Sequence, residues 1–217
     1  MHHQSVFQVK FPAPGLIELL VERGDVVFTP GDCVALFNPA GVSRPYSISS
    51  GQDEPYLRFL IRDMQGEVTE WIAKLGEGDV VKFSPPFGWF RPGLNGDAQV
   101  RSVFVATGTG ISPFISYLRT QSEARPEMCL YGVRTAADAV DVAFLESRCP
   151  TTLCVTRESV NGYVQGRVTD QLDRQPIDDD VHYYLCGLDA MIDDVSTWLE
   201  SKGVHFSRIH REVFFNA

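Results

Sequence analysis

The stretch Val103–Pro113, VFVATGTGISP, decides how this sequence is interpreted. It predicts a buried strand followed by a tight turn that contains Gly108 and Gly110. A helix follows, with Ser112 as its N-cap and Pro113 directly behind it. Free N–H groups and the positive end of a helix attract phosphate at such a turn, and glycines let a ligand approach the backbone. The stretch therefore indicates nucleotide binding, while a plain strand–helix connection remains the alternative.

The turn departs from the dinucleotide fingerprint GxGxxG. That pattern would place a third glycine at the position of Pro113 and an acidic residue about 20 positions further on. Here the next strand ends in Gly132-Val133-Arg134 instead. An arginine in that neighbourhood does not suit the usual grip of a carboxylate on the ribose diol of NAD.

Strand and helix alternate through residues 98–217, which predicts a parallel sheet covered by helices on both faces. The predicted strands are Ser102–Ala106, Met128–Val133, Thr152–Thr156, Val181–Leu185 and Arg208–Phe215, and the predicted helices lie near residues 113–121, 138–147, 168–173 and 189–201. With the common strand order 3-2-1-4-5, strands one and four are neighbours at the switch point where ligands bind. We expect Gly108, Gly110 and Cys186 to line one crevice there.

Residues 1–97 have a different rhythm of short strands separated by Gly, Pro and Asp. The predicted strands are Ser5–Lys10, Leu16–Glu22, Cys33–Phe37, Tyr46–Ser49, Tyr56–Arg62 and Val80–Phe83, with one helix at Val68–Leu75. Six short strands predict a small antiparallel β-barrel. The fold class is therefore a six-stranded antiparallel barrel domain, 1–97, followed by an α/β parallel-sheet nucleotide-binding domain, 98–217. The linker-like cluster Pro92–Asp97 sets the boundary.

Composition excludes several classes of protein. The chain has 217 residues and a net charge of -9, with acidic residues in both halves, so we expect no nucleic-acid partner. We expect no membrane span and no signal peptide, and hence a cytoplasmic location. The five cysteines have no CxxC spacing, so we predict no zinc site, disulfide framework, iron–sulfur cluster or other metal site.

Six motifs in order make the chain resemble the ferredoxin–NADP reductase family along nearly its whole length. These are Arg44–Ser50 (RPYSISS) against the flavin motif RxYS, Gly66–Thr69 (GEVT) against the phosphate motif GxxS/T, Pro86–Gly88 (PFG), the turn Thr107–Pro113, Cys186–Met191 (CGLDAM) against CGPxxM, and Glu212–Phe215 (EVFF) against an acidic and aromatic C-terminal end. Thr69 keeps the hydroxyl of the commoner serine, and Leu188 replaces the proline of CGPxxM.

The resemblance implies that residues 1–97 bind FAD. Tyr46 would stack on the flavin ring, with Pro45 beside it in the motif, and Phe215 would cover the ring from the C-terminal end. Arg44 and the helix start at Gly66, Glu67, Val68 and Thr69 would hold the pyrophosphate.

The resemblance also implies that residues 98–217 bind NADP(H), with Thr107, Gly108, Thr109, Gly110, Cys186 and Gly187 around it. An arginine of a matching motif, Arg157 here, would hold the 2′-phosphate, assisted by Arg134 and Arg167. Glu158 is adjacent and would partly offset Arg157. NADPH is therefore expected over NADH.

Three residues match catalytic positions of the family: Ser47 near the flavin N5, Cys186 near the nicotinamide C4, and Glu212 as the C-terminal acid. Because the flavin performs the redox step, these residues are expected to position and stabilise the reactants, with no attacking nucleophile.

The expected function is hydride transfer between NADPH and FAD, with electrons passed to a separate acceptor protein such as ferredoxin or flavodoxin. Two alternatives stay open. One is an NADH-dependent reductase component of an oxygenase, or a free-flavin reductase. The other is a flavin-binding subunit that no longer transfers hydride.

Overall fold

The computed structural model of the chain describes residues 1–175, 177–178 and 180–213. They form two compact units. The first comprises Met1–Trp89 together with Ser112–Ser122, and the second comprises Phe90–Ile111 together with the described residues from Glu123 onward.

Six strands and two helices make up the first unit. They are β1 (His2–Ala13), β2 (Leu16–Glu22), β3 (Cys33–Phe37), β4 (Ser43–Ser47), β5 (Tyr56–Arg62), α1 (Glu67–Ile72), β6 (Val80–Phe83) and α2 (Ser112–Thr120). The strands pair antiparallel in the order β4-β3-β6-β1-β2-β5. A bridge between Ile48 and Phe59, just beyond β4 and within β5, joins the two ends of this order. The predicted antiparallel six-stranded barrel is thereby confirmed.

The β4 strand begins earlier than predicted, at Ser43 rather than Tyr46, and it contains Pro45. An inner strand donates N–H groups to the strands on both of its sides. Proline has no N–H, so it is confined to edge strands. Because β4 is the last strand of the hydrogen-bonded order, Pro45 is tolerated there. The apolar interior of the barrel is formed by alternate residues, among them Leu19, Leu36 and Phe59, all fully buried.

The second unit holds the parallel sheet. Its elements are β7 (Leu94–Asn95), β8 (Ala98–Gln99), β9 (Ser102–Thr107), β10 (Met128–Val133), α3 (Val142–Arg148), β11 (Thr151–Val155), β12 (Val164–Gln165), β13 (His182–Gly187), α4 (Asp189–Ser201) and β14 (Ile209–Val213), with 3₁₀ turns at Gly108–Ile111, Ala136–Asp138, Val168–Arg174 and Phe206–Arg208. Six strands lie parallel in the order β12-β11-β10-β9-β13-β14. Strands β9 and β13 are therefore neighbours, which confirms the predicted switch point.

The helix predicted at 138–147 begins only at Val142. Asp141 has a φ of 54°, so the backbone enters the left-handed region just before the helix and separates it from the 3₁₀ turn Ala136–Asp138. The helix predicted at 168–173 is a 3₁₀ helix, Val168–Arg174.

The division between the units falls between Trp89 and Phe90, whereas the sequence predicts a boundary between Asp97 and Ala98. The structure gives a physical reason for the difference. Tyr184 on β13 donates a hydrogen bond of 2.6 Å to the Leu94 carbonyl oxygen, and Phe90 packs edge-on against the Tyr184 ring. Residues 90–94 are thus held to the sheet of the second unit. As a division between functions, the boundary at Asp97 stays a prediction.

No helix among the described residues is both long and apolar enough to cross a bilayer.

Candidate functional site

The flavin motif lies on β4, where burial increases from the exposed Arg44 toward Ser47. Arg44 and Pro45 are exposed, Tyr46 is half-buried and Ser47 is buried. The Arg44 guanidinium donates a hydrogen bond of 2.9 Å to the Ser43 carbonyl oxygen. The Ser47 hydroxyl forms no hydrogen bond with another residue of the described ranges. The motif therefore presents a cation and an aromatic ring on an edge strand.

Two charged residues, Arg44 in the flavin motif and Asp63 ahead of the phosphate motif Gly66–Thr69, act on the Tyr46 phenol. Burial raises the pKa of the Tyr46 phenol to about 12, Arg44 opposes this rise, and Asp63 adds to it. Asp63 lies three residues before Gly66, and its carboxylate accepts a 2.8 Å hydrogen bond from the Gln65 N–H. The structure thus brings Arg44 and Tyr46 near the loop that leads into α1.

The Thr69 side chain forms hydrogen bonds with the Gly66 backbone at the start of α1. The Gly66 N–H donates to the Thr69 hydroxyl oxygen at 3.2 Å, and that hydroxyl donates to the Gly66 carbonyl oxygen at 3.0 Å. Thr69 and Val68 are buried, whereas Gly66 and Glu67 are exposed. A Cβ added at Gly66 would meet nothing within 4 Å. Thr69 therefore shapes the turn, and the backbone at Gly66 and Glu67 forms its open surface.

In the second unit, the two glycines of the turn after β9 serve different purposes. Gly108 has a φ of +55°, and a Cβ there would meet nothing within 4 Å. At Gly110 a Cβ would lie only 2.7 Å from the backbone carbon of Cys186 and from the Cα of Gly187. Gly108 is thus open to a ligand, while Gly110 is needed for close packing of the turn against the end of β13.

Thr107 ties this turn to the loop after β13. Its hydroxyl oxygen accepts a 2.9 Å hydrogen bond from the Leu188 N–H. Gly187 has a φ of +134°, and a Cβ there would lie 2.7 Å from the Thr107 carbonyl oxygen. The departure Leu188 has a consequence here, because proline at this position would have no N–H to donate. The structure therefore brings together Thr107, Gly108, Gly110, Cys186 and Gly187 as the sequence predicts.

Cys186 and Glu212 are register partners on the neighbouring parallel strands β13 and β14. The Cys186 residue is fully buried, and burial, with a contribution from Glu212, raises its pKa well above that of a free thiol. Burial also raises the pKa of Glu212, and the nearby Arg91 opposes that rise. The thiol is therefore held neutral, as a positioning role requires and a thiolate nucleophile would not. Arg91 was missed as a neighbour of Glu212 by sequence reasoning, which had no signal for a contact over this separation.

Three arginines stand after the carboxyl ends of adjacent parallel strands: Arg134 after β10, Arg157 after β11 and Arg167 after β12. The Arg157 N–H donates to the Arg134 carbonyl oxygen at 2.8 Å. All three residues are exposed, and their guanidinium groups form no ion pair with any described residue. These three arginines place positive charge at the carboxyl edge of the sheet, where it can attract an anion.

Glu158, the acidic neighbour of Arg157, is directed elsewhere. Its carboxylate accepts a 2.6 Å hydrogen bond from the Ala136 N–H at the start of the 3₁₀ turn Ala136–Asp138. The side chain therefore serves the fold of the adjacent loop and does not pair with Arg157. Sequence reasoning left this open because the turn geometry is invisible in the sequence.

Phe215 lies outside the described residues. Within the described part of the chain, no three His, Cys, Asp or Glu side chains group as metal ligands.

A known domain family matches the part of the chain that contains the nucleotide turn and most of the parallel sheet. Residues 104–197 match the family of oxidoreductase NAD-binding domains. The toluate 1,2-dioxygenase electron transfer component of Pseudomonas putida is 29% identical over 202 residues, which cover 87% of this chain and 59% of that protein. Ferredoxin–NADP reductase B of Sorangium cellulosum is 29% identical over 226 residues, which cover 92% of each chain. The chain thus spans only 59% of the first relative's length but nearly all of the second's.

Solved structures extend the likeness to the whole chain. A cytochrome P450 reductase from Amycolatopsis is similar with a TM-score of 0.86 and 25% identity, over 98% of this chain and 70% of that one. A ferredoxin NADP⁺ reductase from Neisseria gonorrhoeae, solved with bound FAD and NADP, is similar with a TM-score of 0.85 and 20% identity, over 99% and 98% of the two chains.

Residues 104–197 thus resemble an oxidoreductase NAD-binding domain, and the barrel strands precede them along the chain. The resemblance to the ferredoxin–NADP reductase family is confirmed.

Proposed function

We propose that this chain is an FAD-dependent oxidoreductase that takes a hydride from NADPH onto FAD and passes electrons to a separate acceptor protein. The hydrogen-bonded pair of loops at Thr107–Gly110 and Cys186–Leu188 carries this proposal, because it holds the open backbone of Gly108 at the switch point of the sheet. The names of relatives that are electron transfer components and reductases support it.

FAD would be held by the barrel. The Arg44 guanidinium and the exposed backbone of Glu67 at the start of α1 suit a pyrophosphate, and the half-buried Tyr46 ring suits the flavin face. Thr69 contributes by fixing the turn, since its hydroxyl is engaged with Gly66. When bound, FAD accepts a hydride and releases electrons singly or in pairs. Pro45 stiffens the strand that carries these groups, and Phe215 remains our candidate for covering the ring.

NADPH would bind at the sheet edge. Gly108 offers open backbone to the pyrophosphate, with Thr109 next to it in the turn, and Arg134, Arg157 and Arg167 offer exposed positive charge to the 2′-phosphate. The hydrogen bond from the Ala136 N–H directs the Glu158 carboxylate toward the adjacent loop, which supports Arg157 as the partner of the 2′-phosphate and hence NADPH over NADH. Cys186 and Gly187 support this turn from the β13 side.

The positioning roles follow from burial. Cys186 presents an uncharged, buried thiol at the end of β13, which excludes water without competing for hydride. Glu212, beside it in register, has a pKa raised by burial and so keeps its proton to a higher pH than an ordinary carboxyl. Ser47 keeps a hydroxyl free of other described partners and would donate it toward the flavin N5.

The acceptor we propose is a ferredoxin, with flavodoxin as the other candidate. One relative is a dioxygenase electron transfer component of which the chain spans 59%, which favours an oxygenase reductase as the second candidate function. We also propose a cytoplasmic location, since all five cysteines are buried and free of disulfides, as suits a reducing compartment.

One experiment tests the core of this proposal. The purified protein, loaded with FAD, is mixed anaerobically with NADPH or NADH, and the flavin band near roughly 450 nm is followed. We expect rapid bleaching with NADPH and slower bleaching with NADH. Arg157→Gln should lower the preference for NADPH about tenfold or more, because a charged hydrogen bond to phosphate is lost.

Lys202→Gln is the matched control, since it removes one positive charge at the end of α4. If the bound flavin stays oxidised with both nucleotides, the proposal is wrong and the protein is a flavin-binding subunit without hydride transfer. A preference that survives Arg157→Gln unchanged would place the 2′-phosphate elsewhere.

A further inference from the structure

Helix α2 has an unusual position in the chain. It begins at Ser112, directly after the nucleotide turn Gly108–Ile111, yet residues 112–122 belong to the barrel unit. Every residue from Ser112 to Leu118 is buried. The division between the two units thus cuts the chain at the amino end of a buried helix.

Three hydrogen bonds fasten α2 to one short segment of the barrel unit, Ser50–Glu54. The Ser116 hydroxyl donates to the Ser50 carbonyl oxygen at 2.8 Å, and the Arg119 guanidinium donates to the Glu54 carboxylate at 2.8 Å. The Gln52 N–H donates to the Thr120 hydroxyl oxygen at 3.1 Å. These bonds involve the second half of the helix, whereas its first turn follows the nucleotide turn directly in the chain.

Close packing reinforces these bonds. A Cβ at Gly51 would lie 3.1 Å from the Cβ of Arg119 and 3.3 Å from its backbone, so the segment runs directly along the helix. The Ser116 side chain is fully buried, and a buried hydroxyl is retained only with a partner that offsets its desolvation.

The fastened segment is the continuation of the flavin motif. Ser50 follows Ser47 by three residues, and both serines between β4 and β5 are held to β5. The Ser49 hydroxyl donates to the Arg58 carbonyl oxygen at 3.1 Å, and the Arg58 N–H donates to the Ser50 hydroxyl oxygen at 3.2 Å. A displacement of Ser50 would therefore be passed to Ser47 through a paired backbone.

We propose that α2 couples the two candidate sites, and that Ser116 and the Arg119–Glu54 pair are positioning residues that relate the nucleotide turn to the flavin motif. The inference rests on the proposed function. A phosphate bound at the turn fixes the amino end of α2, and the hydrogen bonds to Ser50 and Glu54 carry that constraint to β4. By linkage, each cofactor then binds more tightly when the other is present.

The test is a coupling measurement on the full chain. The dissociation constant of FAD is measured by flavin fluorescence without and with saturating NADP⁺. We expect NADP⁺ to tighten FAD binding about fivefold or more in the unmodified protein. In Ser116→Ala the two ligands should each bind alone within about twofold of normal, and the coupling should fall toward one.

Ser196→Ala is the matched control. Ser196 is also a buried helical serine, in α4, and its hydroxyl has no hydrogen-bond partner among the described residues. A merely structural role would change the melting temperature in both variants and leave the coupling intact. Glu54→Gln, which keeps the side-chain shape, provides a second variant and should reduce the coupling even if Ser116→Ala folds poorly.

Coupling that is equal in Ser116→Ala, Glu54→Gln and the unmodified protein overturns the inference, as does an unmodified protein whose two ligands bind independently. Failure of the proposed function is distinguishable, because then FAD or NADP⁺ does not bind at all.

Discussion

The two candidate sites are built from different parts of the chain. On the barrel, β4 is paired to β3 along its length, so chemistry is offered mainly by exposed side chains, Arg44 and Tyr46. At the sheet edge, chemistry is offered mainly by backbone, where Gly108 is open and Gly110 and Gly187 are packed against neighbouring strands. Exposed side chains that form a site can be substituted with little loss of folding stability. Where backbone forms the site, the same residues also pack in the core, so a substitution there lowers the stability of the fold.

The largest effect is expected from Gly110→Ala. The added Cβ would press on the Cys186 backbone, which cannot move without disturbing β13. We expect the unfolding free energy to fall by about 3 kcal/mol or more, as in severe overpacking, measured by denaturant titration.

Gly108→Ala is its control. A Cβ there meets open space, and the φ of +55° costs about 1 kcal/mol in an alanine. Equal losses in the two variants would contradict the distinction between an open and a packed glycine.

A smaller effect, confined to ligand affinity, is expected from Arg44→Gln. Loss of a charge-assisted hydrogen bond should weaken FAD binding by about 10- to 100-fold, followed by flavin fluorescence. The melting temperature of the FAD-free protein should stay the same, because Arg44 is exposed. Lys74→Gln removes an equal charge from another exposed position of the barrel unit and should leave FAD affinity unchanged. A barrel that melts early in Arg44→Gln would show that its site is structural as well.

The smallest effect concerns pH and the amino ends of β13 and β14. The His182 Nδ1 and His210 Nε2 atoms are 2.9 Å apart, and the His210 ring stacks on Tyr184. Burial lowers the pKa of both histidines, with Arg208 acting on His182 and His182 acting on His210. Since the unfolded chain binds more protons than the folded one, stability should be lost as pH falls below about 6.5, the pKa of an unperturbed histidine.

The paired variant His182→Asn with His210→Gln keeps a polar contact and removes both titrations. Its unfolding free energy between about pH 5 and 7 should depend less on pH than that of the unmodified protein. Glu212 acts in the opposite sense, because its raised pKa makes the folded chain bind more protons as pH falls. An unchanged pH slope in the paired variant would show that the histidines do not control acid stability.

Local patterns predicted most of the fold, and the reasons are visible in particular residues. β10, Met128–Val133, and α4, Asp189–Ser201, have the predicted bounds because apolar period and punctuation agree there. The start of β4 was predicted three residues late, and the observed strand contains Pro45, a residue that propensity disfavours within sheets. The loops of the switch point were predicted from Gly108 and Cys186.

Long-range contacts could not be predicted. The fastening of α2 to Ser50 and Glu54 joins residues more than 60 positions apart. Its one signal is Ser116, a polar residue among apolar ones that would need a buried partner. The capture of Glu158 by the Ala136 N–H and the neighbourhood of Arg91 and Glu212 likewise depend on tertiary packing and not on local pattern.

Pro45 also bears on misassembly. An outermost strand with free N–H and C=O groups can recruit a strand from another chain and seed aggregates, particularly while no ligand covers it. Pro45 removes one donor from β4, and the charged Arg44 beside it opposes stacking of a second copy. Arg44 and Pro45, which we propose to lie beside the flavin, therefore also oppose aggregation of the newly synthesised chain before FAD binds.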